Sequence, residues 1–178
     1  NLGSAYKSLG QYQRAIEFHE QSLEISREIG YRQGEAASLG GLGNAYKSLG
    51  QYDRAIEFQQ QSLEISRKIG YRQGEANSLG SLGNAYNSLG QYHRAIEFHE
   101  QSLEIKREIG NRQGEAASLG SLGLAYQYLG QYDRAIEFHQ QSLEIKQEIG
   151  YREGEANTLG NLGSAYKSLG QYQRAIEF

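Results

Sequence analysis

Histidine is the residue most able to do chemistry in this 178-residue chain, and three of its four copies, His19, His99 and His139, stand 80 and 40 residues apart. A helical metal site needs two imidazoles four residues apart on one face, and no pair here has that spacing. The same column holds Gln59, so the position does not demand an imidazole. These residues read as the edge of a packing face. The chain has no cysteine, which removes a thiolate metal site, a cysteine nucleophile and a disulfide framework together. No Ser-His-Asp set, carboxylate pair or phosphate-cradling loop follows from the spacing. The expectation is a non-enzyme with no cofactor and no metal.

Arginine offers a second chemistry. Arg32, Arg72, Arg112 and Arg152 recur beside a column that reads Tyr31, Tyr71, Asn111, Tyr151. A guanidinium next to an aromatic ring at a groove rim would engage acidic ligands. The alternative is a pair that stabilises the loop between structural units. The charge balance limits what else is available. Eighteen basic and 21 acidic residues are interspersed for a net charge of −3, so no face is strongly basic and a nucleic-acid partner is not expected. No apolar run approaches the roughly 18 residues of a membrane span, so no membrane partner is expected either, and a cytoplasmic location is the expectation.

The elements that position these residues come from a repeat. The string LGQY falls at 9–12, 49–52, 89–92, 129–132 and 169–172, always 40 residues apart, and 41–80 differ from 81–120 at only 9 positions. A fixed period of this size marks a solenoid in which each unit contacts mainly its neighbours. Each unit reads as two helices. In the first, A, the apolar residues Leu79, Leu82, Tyr86 and Leu89 advance in steps of three and four, which is one helical stripe. In the second, B, from Tyr92 to about Ile109, Ala95, Ile96, Phe98, Leu103, Ile105 and Ile109 cover about half the circumference, which suits packing on two neighbours. Glu97, Glu100, Gln101 and Glu104 form the opposite, solvated face. Gly110 follows the last apolar residue of B, as a left-handed cap would. The spacing predicts helices over 12–29, 32–49, 52–69, 72–89, 92–109, 112–129, 132–149 and 152–169. It predicts one continuous array over 1–178: a partial repeat 1–31, repeats 32–71, 72–111 and 112–151, and a partial repeat 152–178.

Leu79, Leu82-Gly83, Ala85-Tyr86, Gly90, Tyr92, Ala95-Ile96 and Leu103 stand at the spacings of the tetratricopeptide repeat, which the chain resembles over its whole length. The unit is 40 rather than 34 residues and lacks the usual terminal proline. It is similar to the long-repeat branch seen in spindle-orientation adaptors and kinesin light chains. The resemblance implies an all-α solenoid, a right-handed superhelix whose concave face, lined by A helices, binds a peptide or protein segment. It also implies that an Asn in the column of Asn44 and Asn84 clamps a ligand backbone through its amide. That column reads Ser4, Asn44, Asn84, Leu124, Ser164, and the next reads Lys7, Lys47, Asn87, Gln127, Lys167. Asn44, Lys47, Asn84 and Asn87 are therefore expected in the groove. On the fourth A helix Leu124 and Tyr128 replace small polar residues. Four residues apart, they are expected to stack on one another as an anchor. The competing reading leaves these positions as small solvated residues of a curved face.

The ends suggest a different function. Residues 1–18 and 161–178 are identical, and there is no initiator Met, as expected of a fragment of a longer array or of an engineered module. Leu2, Tyr6, Leu9, Leu169, Tyr172, Ile176 and Phe178 are expected to lack covering neighbours, which favours head-to-tail self-association as the alternative to peptide binding.

Overall fold

The computed structural model describes residues 11–176, and these are helical apart from short turns, with no strand among them. The helices are α1 (Tyr12–Glu28), α2 (Arg32–Ser48), α3 (Tyr52–Lys68), α4 (Arg72–Ser88), α5 (Tyr92–Glu108), α6 (Arg112–Tyr128), α7 (Tyr132–Glu148), α8 (Arg152–Ser168) and the short α9 (Tyr172–Ile176). Even numbers are A helices and odd numbers B helices. The ends fall within one residue of the glycine-punctuated expectation. The expected surroundings of Leu2, Tyr6, Leu9 and Phe178 lie outside the described residues. The chain divides into two compact units, unit 1 (Asn1–Gly90) and unit 2 (Gln91–Phe178).

Glycine sets the turns. At the end of α5 the Asn111 N–H donates to the Lys106 carbonyl at 2.8 Å and the Gly110 N–H to the Arg107 carbonyl at 3.1 Å. This Schellman pair satisfies carbonyls that would otherwise be orphaned. It needs a left-handed residue at position 110, where φ is +67°, a region L side chains rarely adopt. Gly50, at the end of α2, does the same with φ of +74°. The chain therefore reverses after every 17-residue helix and lays the next one antiparallel.

Within unit 1 the core is Leu39, Leu42 and Ala45 of α2 against Ala15, Ile16 and Leu23 of α1 and Ala55 and Ile65 of α3. Unit 2 repeats it with Leu119, Leu122 and Ala125 of α6 between α5 and α7. A second cluster there joins Ile136 of α7 to Leu162, Ala165 and Tyr166 of α8. Leu82 is fully buried, and Glu97, Glu100, Gln101 and Glu104 are exposed, as the stripe requires. One hairpin in each unit is clasped by a tyrosine–phenylalanine stack. Tyr46 of α2 faces Phe58 of α3 at 5.3 Å, nearly parallel, with the Arg54 guanidinium 4.8 Å from the Tyr46 ring centre. Tyr126, Phe138 and Arg134 repeat the arrangement in unit 2. Ring stacking and a cation over the ring face each add to the area they bury.

Two features position the candidate site. Consecutive A helices touch within each unit, α2 with α4 and α6 with α8, whereas B helices touch only A helices among the described residues of a unit. In addition, the A helices carry glycine where a B helix comes closest. A Cβ on Gly43 would stand 2.7 Å from the Gln59 side chain, and one on Gly123 would stand 2.6 Å from the His139 ring. Alanine at either position would collide, so close packing offsets the roughly 1 kcal/mol that a helical glycine costs.

Candidate functional site

The starts of the A helices decide what the arginines do. Glu75 lies in the first turn of α4 and is buried. The Arg72 Nη1 of its own turn reaches Glu75 Oε2 at 2.6 Å, and the Arg67 Nε from the end of α3 reaches Oε1 at 2.9 Å. Arg32 and Arg27 hold Glu35 in the same way, Arg112 and Arg107 hold Glu115, and Arg152 holds Glu155. Burial pushes the Glu75 and Glu115 carboxyls up, and the arginine hydrogen bonds outweigh it and hold both below the ordinary value. Arg112 also pairs with Glu148 of α7. Each recurrent arginine thus braces the first turn of its own A helix, and Arg27, Arg67 and Arg107 at the ends of the B helices tie that turn to the preceding helix. The tyrosines pack elsewhere: the ring of Tyr71 lies over Gly74, where a Cβ would meet it at 2.4 Å. Asn111 instead accepts a hydrogen bond from the Gly114 N–H at 2.8 Å and caps α6.

The histidine column needs correction. His19, His99 and His139 are not at an edge but fully inside, with at most 3% exposure. The reason is the glycine on the opposing A helix: His139 fills the hollow at Gly123, and His19 the one at Gly41. Both His139 ring nitrogens lack a hydrogen-bond partner. Burial, with the Lys146 ammonium adding to it, pushes His139 down from 6.5 to about 4. Among the described residues no cluster of histidines and carboxylates could hold a metal ion.

Of the groove residues, Asn44 is the best defined. Its Oδ1 accepts from Gln59 Nε2 and from Ser81 Oγ of the next A helix, both at 3.3 Å. Half of the expected amide clamp is therefore used by the fold. Gln59 Nε2 also donates to the Gly40 carbonyl at 3.0 Å. Between α2 and α4 lies a cleft of about 300 Å³ whose floor is made by α3 through Gln59, Ser62 and Ser66. Asn84 is exposed, and Lys47 and Asn87 are half-buried on the same helices.

In unit 2, Leu124 is half-buried and Tyr128 is 63% exposed. The stacking partner of Tyr128 is Tyr92 of α5, with ring centres 5.1 Å apart, rather than the expected Leu124. Gln127 Nε2 donates to Ser164 Oγ at 3.1 Å and ties α6 to α8. The sequence reading missed the contribution of helix B. Position 66 is Ser in unit 1, and its counterparts are Lys106 and Lys146 in unit 2. Lys106 is 8% exposed, with Nζ on Ser118 Oγ at 3.0 Å, and Lys146 Nζ donates to Thr158 Oγ1 at 2.6 Å. Burial lowers both ammonium pKa values. The Ser-to-Lys change in a strict repeat was the signal that could have drawn attention to this floor.

No helix among the described residues is long and apolar enough to cross a membrane. A segment of mouse G-protein-signaling modulator 1 is 49% identical over 41 residues, which is 23% of this chain and 6% of that protein's length. The fold is similar to that of a Podosopora anserina protein described as a kinesin light chain with nearly identical TPR-like repeats. That similarity has a TM-score of 0.79 at 29% identity, over 99% of this chain and 87% of that one. BtubC from P. vanneervenii superposes with a TM-score of 0.87 at 24% identity over 99% of this chain and 73% of its own. A Rap protein complexed with Competence and Sporulation Factor gives 0.86 at 18%, covering 98% of this chain and 49% of that one. The family model of the tetratricopeptide repeat matches residues 1–68, 34–108, 74–148 and 114–178. These overlapping matches run the length of the sequence, and the chain belongs to the tetratricopeptide repeat family.

Proposed function

We propose that this chain is a non-catalytic scaffold that holds an extended segment of a partner protein on its A-helix faces. The observation that carries the reading is the cleft between α2 and α4, open because the A helices carry glycine, alanine and serine there. In unit 1, Asn44, Lys47, Asn84 and Asn87 contact the segment. In unit 2, Leu124 and Tyr128 do so, with Tyr128 as a rigid aromatic anchor already stacked on Tyr92. The Rap neighbour, solved with a bound factor, supports the reading only as an example of this fold in a complex. A cytoplasmic location belongs to the same proposal. The test is selection from a random peptide library, followed by affinity measurement on variants. The Tyr128→Ala change should weaken a ligand that engages unit 2 by more than about 1 kcal/mol with helicity unchanged. Selected ligands that are indifferent to all six positions would overturn the assignment.

A second reading, end-to-end self-association of a structural or engineered repeat module, is favoured by the strict 40-residue period, because the stacking contact between repeats is heterologous and can continue from copy to copy. Light scattering across a wide concentration range separates the readings, because only the second requires growth with concentration.

A further inference from the structure

The unit 1 cleft has a hydrogen-bonding pattern of its own. Asn44 Oδ1 is occupied by Gln59 and Ser81, which leaves the Asn44 NH2 uncommitted. Gln59 Nε2 is occupied by the Gly40 carbonyl and Asn44, which leaves the Gln59 Oε1 as an acceptor. An uncommitted donor and an uncommitted acceptor thus belong to two hydrogen-bonded amides that line the same cleft. The cleft is also lined by Ser66, fully buried, whose hydroxyl has no hydrogen-bond partner. Native interiors rarely leave such a group unpaired.

The lining has no Lys, Arg, Asp or Glu; His19 and Tyr71 are its titratable groups. A carboxylate entering it would be desolvated without a cation and would face the Gln59 oxygen. An aliphatic side chain would leave the donor and the acceptor unsatisfied. A primary carboxamide matches instead: its carbonyl accepts from the Asn44 NH2 and its own NH2 donates to Gln59 Oε1. The space, about 300 Å³, is at the small end of ligand pockets and suits a side chain rather than a large cofactor.

We propose that the unit 1 cleft selects an Asn or Gln side chain of the bound segment. The inference rests on the groove reading above and adds its register. It is specific to unit 1, because the counterparts of Asn44, Gln59 and Ser66 in unit 2 are Leu124, His139 and Lys146.

The experiment uses the whole chain, 15N-labelled, titrated with N-acetyl-glutamine methylamide, N-acetyl-glutamate methylamide and N-acetyl-leucine methylamide. The three probes share their backbone amides, so any difference reports the side chain. The glutamine probe should give saturable shifts at Gly40, Gly41, Asn77 and Ser78, with an apparent Kd roughly five-fold or more below the other two. Two substitutions copy residues this chain already carries at equivalent positions: Ser66→Lys fills the cleft, and Asn44→Leu removes the donor. Each should abolish the preference with helicity unchanged. Equal shifts from the glutamate or leucine probe, no shifts from the glutamine probe, or a preference that survives Ser66→Lys would overturn the proposal. Library ligands that bind the A helices without an amide residue at this register would overturn it while leaving the groove reading intact. Ligands that avoid the A helices would remove both.

Discussion

Units 1 and 2 are built on one core and differ at its floor. Leu42 and Leu122 are equivalent, both fully buried, and lie in matching clusters of alanine, leucine, isoleucine and tyrosine. One layer away, toward the A-helix face, the two diverge. Unit 1 places Asn44, Gln59 and Ser66 around an open polar cleft. Unit 2 places Leu124, His139 and Lys146 at those positions, and the lysine stem occupies space: its Cδ stands 3.0 Å from where a Gly154 Cβ would be. A repeat therefore holds the core constant and varies the floor, and it is the floor that a ligand would read.

The largest test concerns what is shared. Leu42→Ala and Leu122→Ala should each cost about 2–5 kcal/mol, because both remove a fully buried side chain from a packed core. Denaturant midpoints of the two variants should agree closely. A cost well below that for one of them would mean the units do not share a core.

The next effect concerns what differs. His139 titrates near 6.5 when unfolded and at about 4 when folded, so the unfolded chain binds more protons between those values. Stability should fall as pH drops from about 6.5 toward 4, to a limit of roughly 3 kcal/mol from this group. Glu75 and Glu115, held below their ordinary value, contribute stability that is present above pH 4.5 and is lost only below it. Between 4.5 and 6.5 these carboxylates do not contribute to the loss, and amide exchange should show the His139 share in unit 2. The His139→Gln change, which installs the unit 1 residue at position 59, should remove that share while the buried His19 and His99 remain. An unchanged pH profile would contradict the burial argument.

How much of this was legible in the sequence follows from where the repeat is strict. The 40-residue phase and the glycine at each turn determine helix ends to one residue, because a Schellman turn has a single left-handed position and Gly110 and its equivalents fill it. The stripe containing Leu82 was legible for the same reason. The floor was not, because helix A was read as the sole owner of its face. Gly41 and Gly123 are holes through which helix B residues fill the face, and a side chain entering a hole from behind leaves no periodic mark. The i,i+4 spacing pairs Tyr128 with Leu124, but its stacking partner Tyr92 lies on the preceding helix, beyond any local pattern.

A smaller effect sharpens the same contrast. Lys106 is a buried ammonium whose hydrogen-bond partner is a serine hydroxyl, and desolvation lowers its pKa. Lys106→Met keeps the stem and removes the charge, so it should be neutral or stabilising, by on the order of 1 kcal/mol, at pH 7. A clear destabilisation would show that the ammonium has a stronger partner than Ser118. The smallest effect is expected at Glu97→Ala, on the exposed face of α5, within about 0.5 kcal/mol in thermal denaturation.

The most direct test of the scaffold reading is the footprint of a library-selected peptide, mapped by amide chemical shifts on the 15N-labelled chain. The account predicts that the perturbed amides belong to the A helices, around Gly40, Asn44 and Asn84 in unit 1 or Leu124 and Tyr128 in unit 2. A footprint on the outer face of the B helices, around Glu97, Glu100 and Glu104, would contradict it.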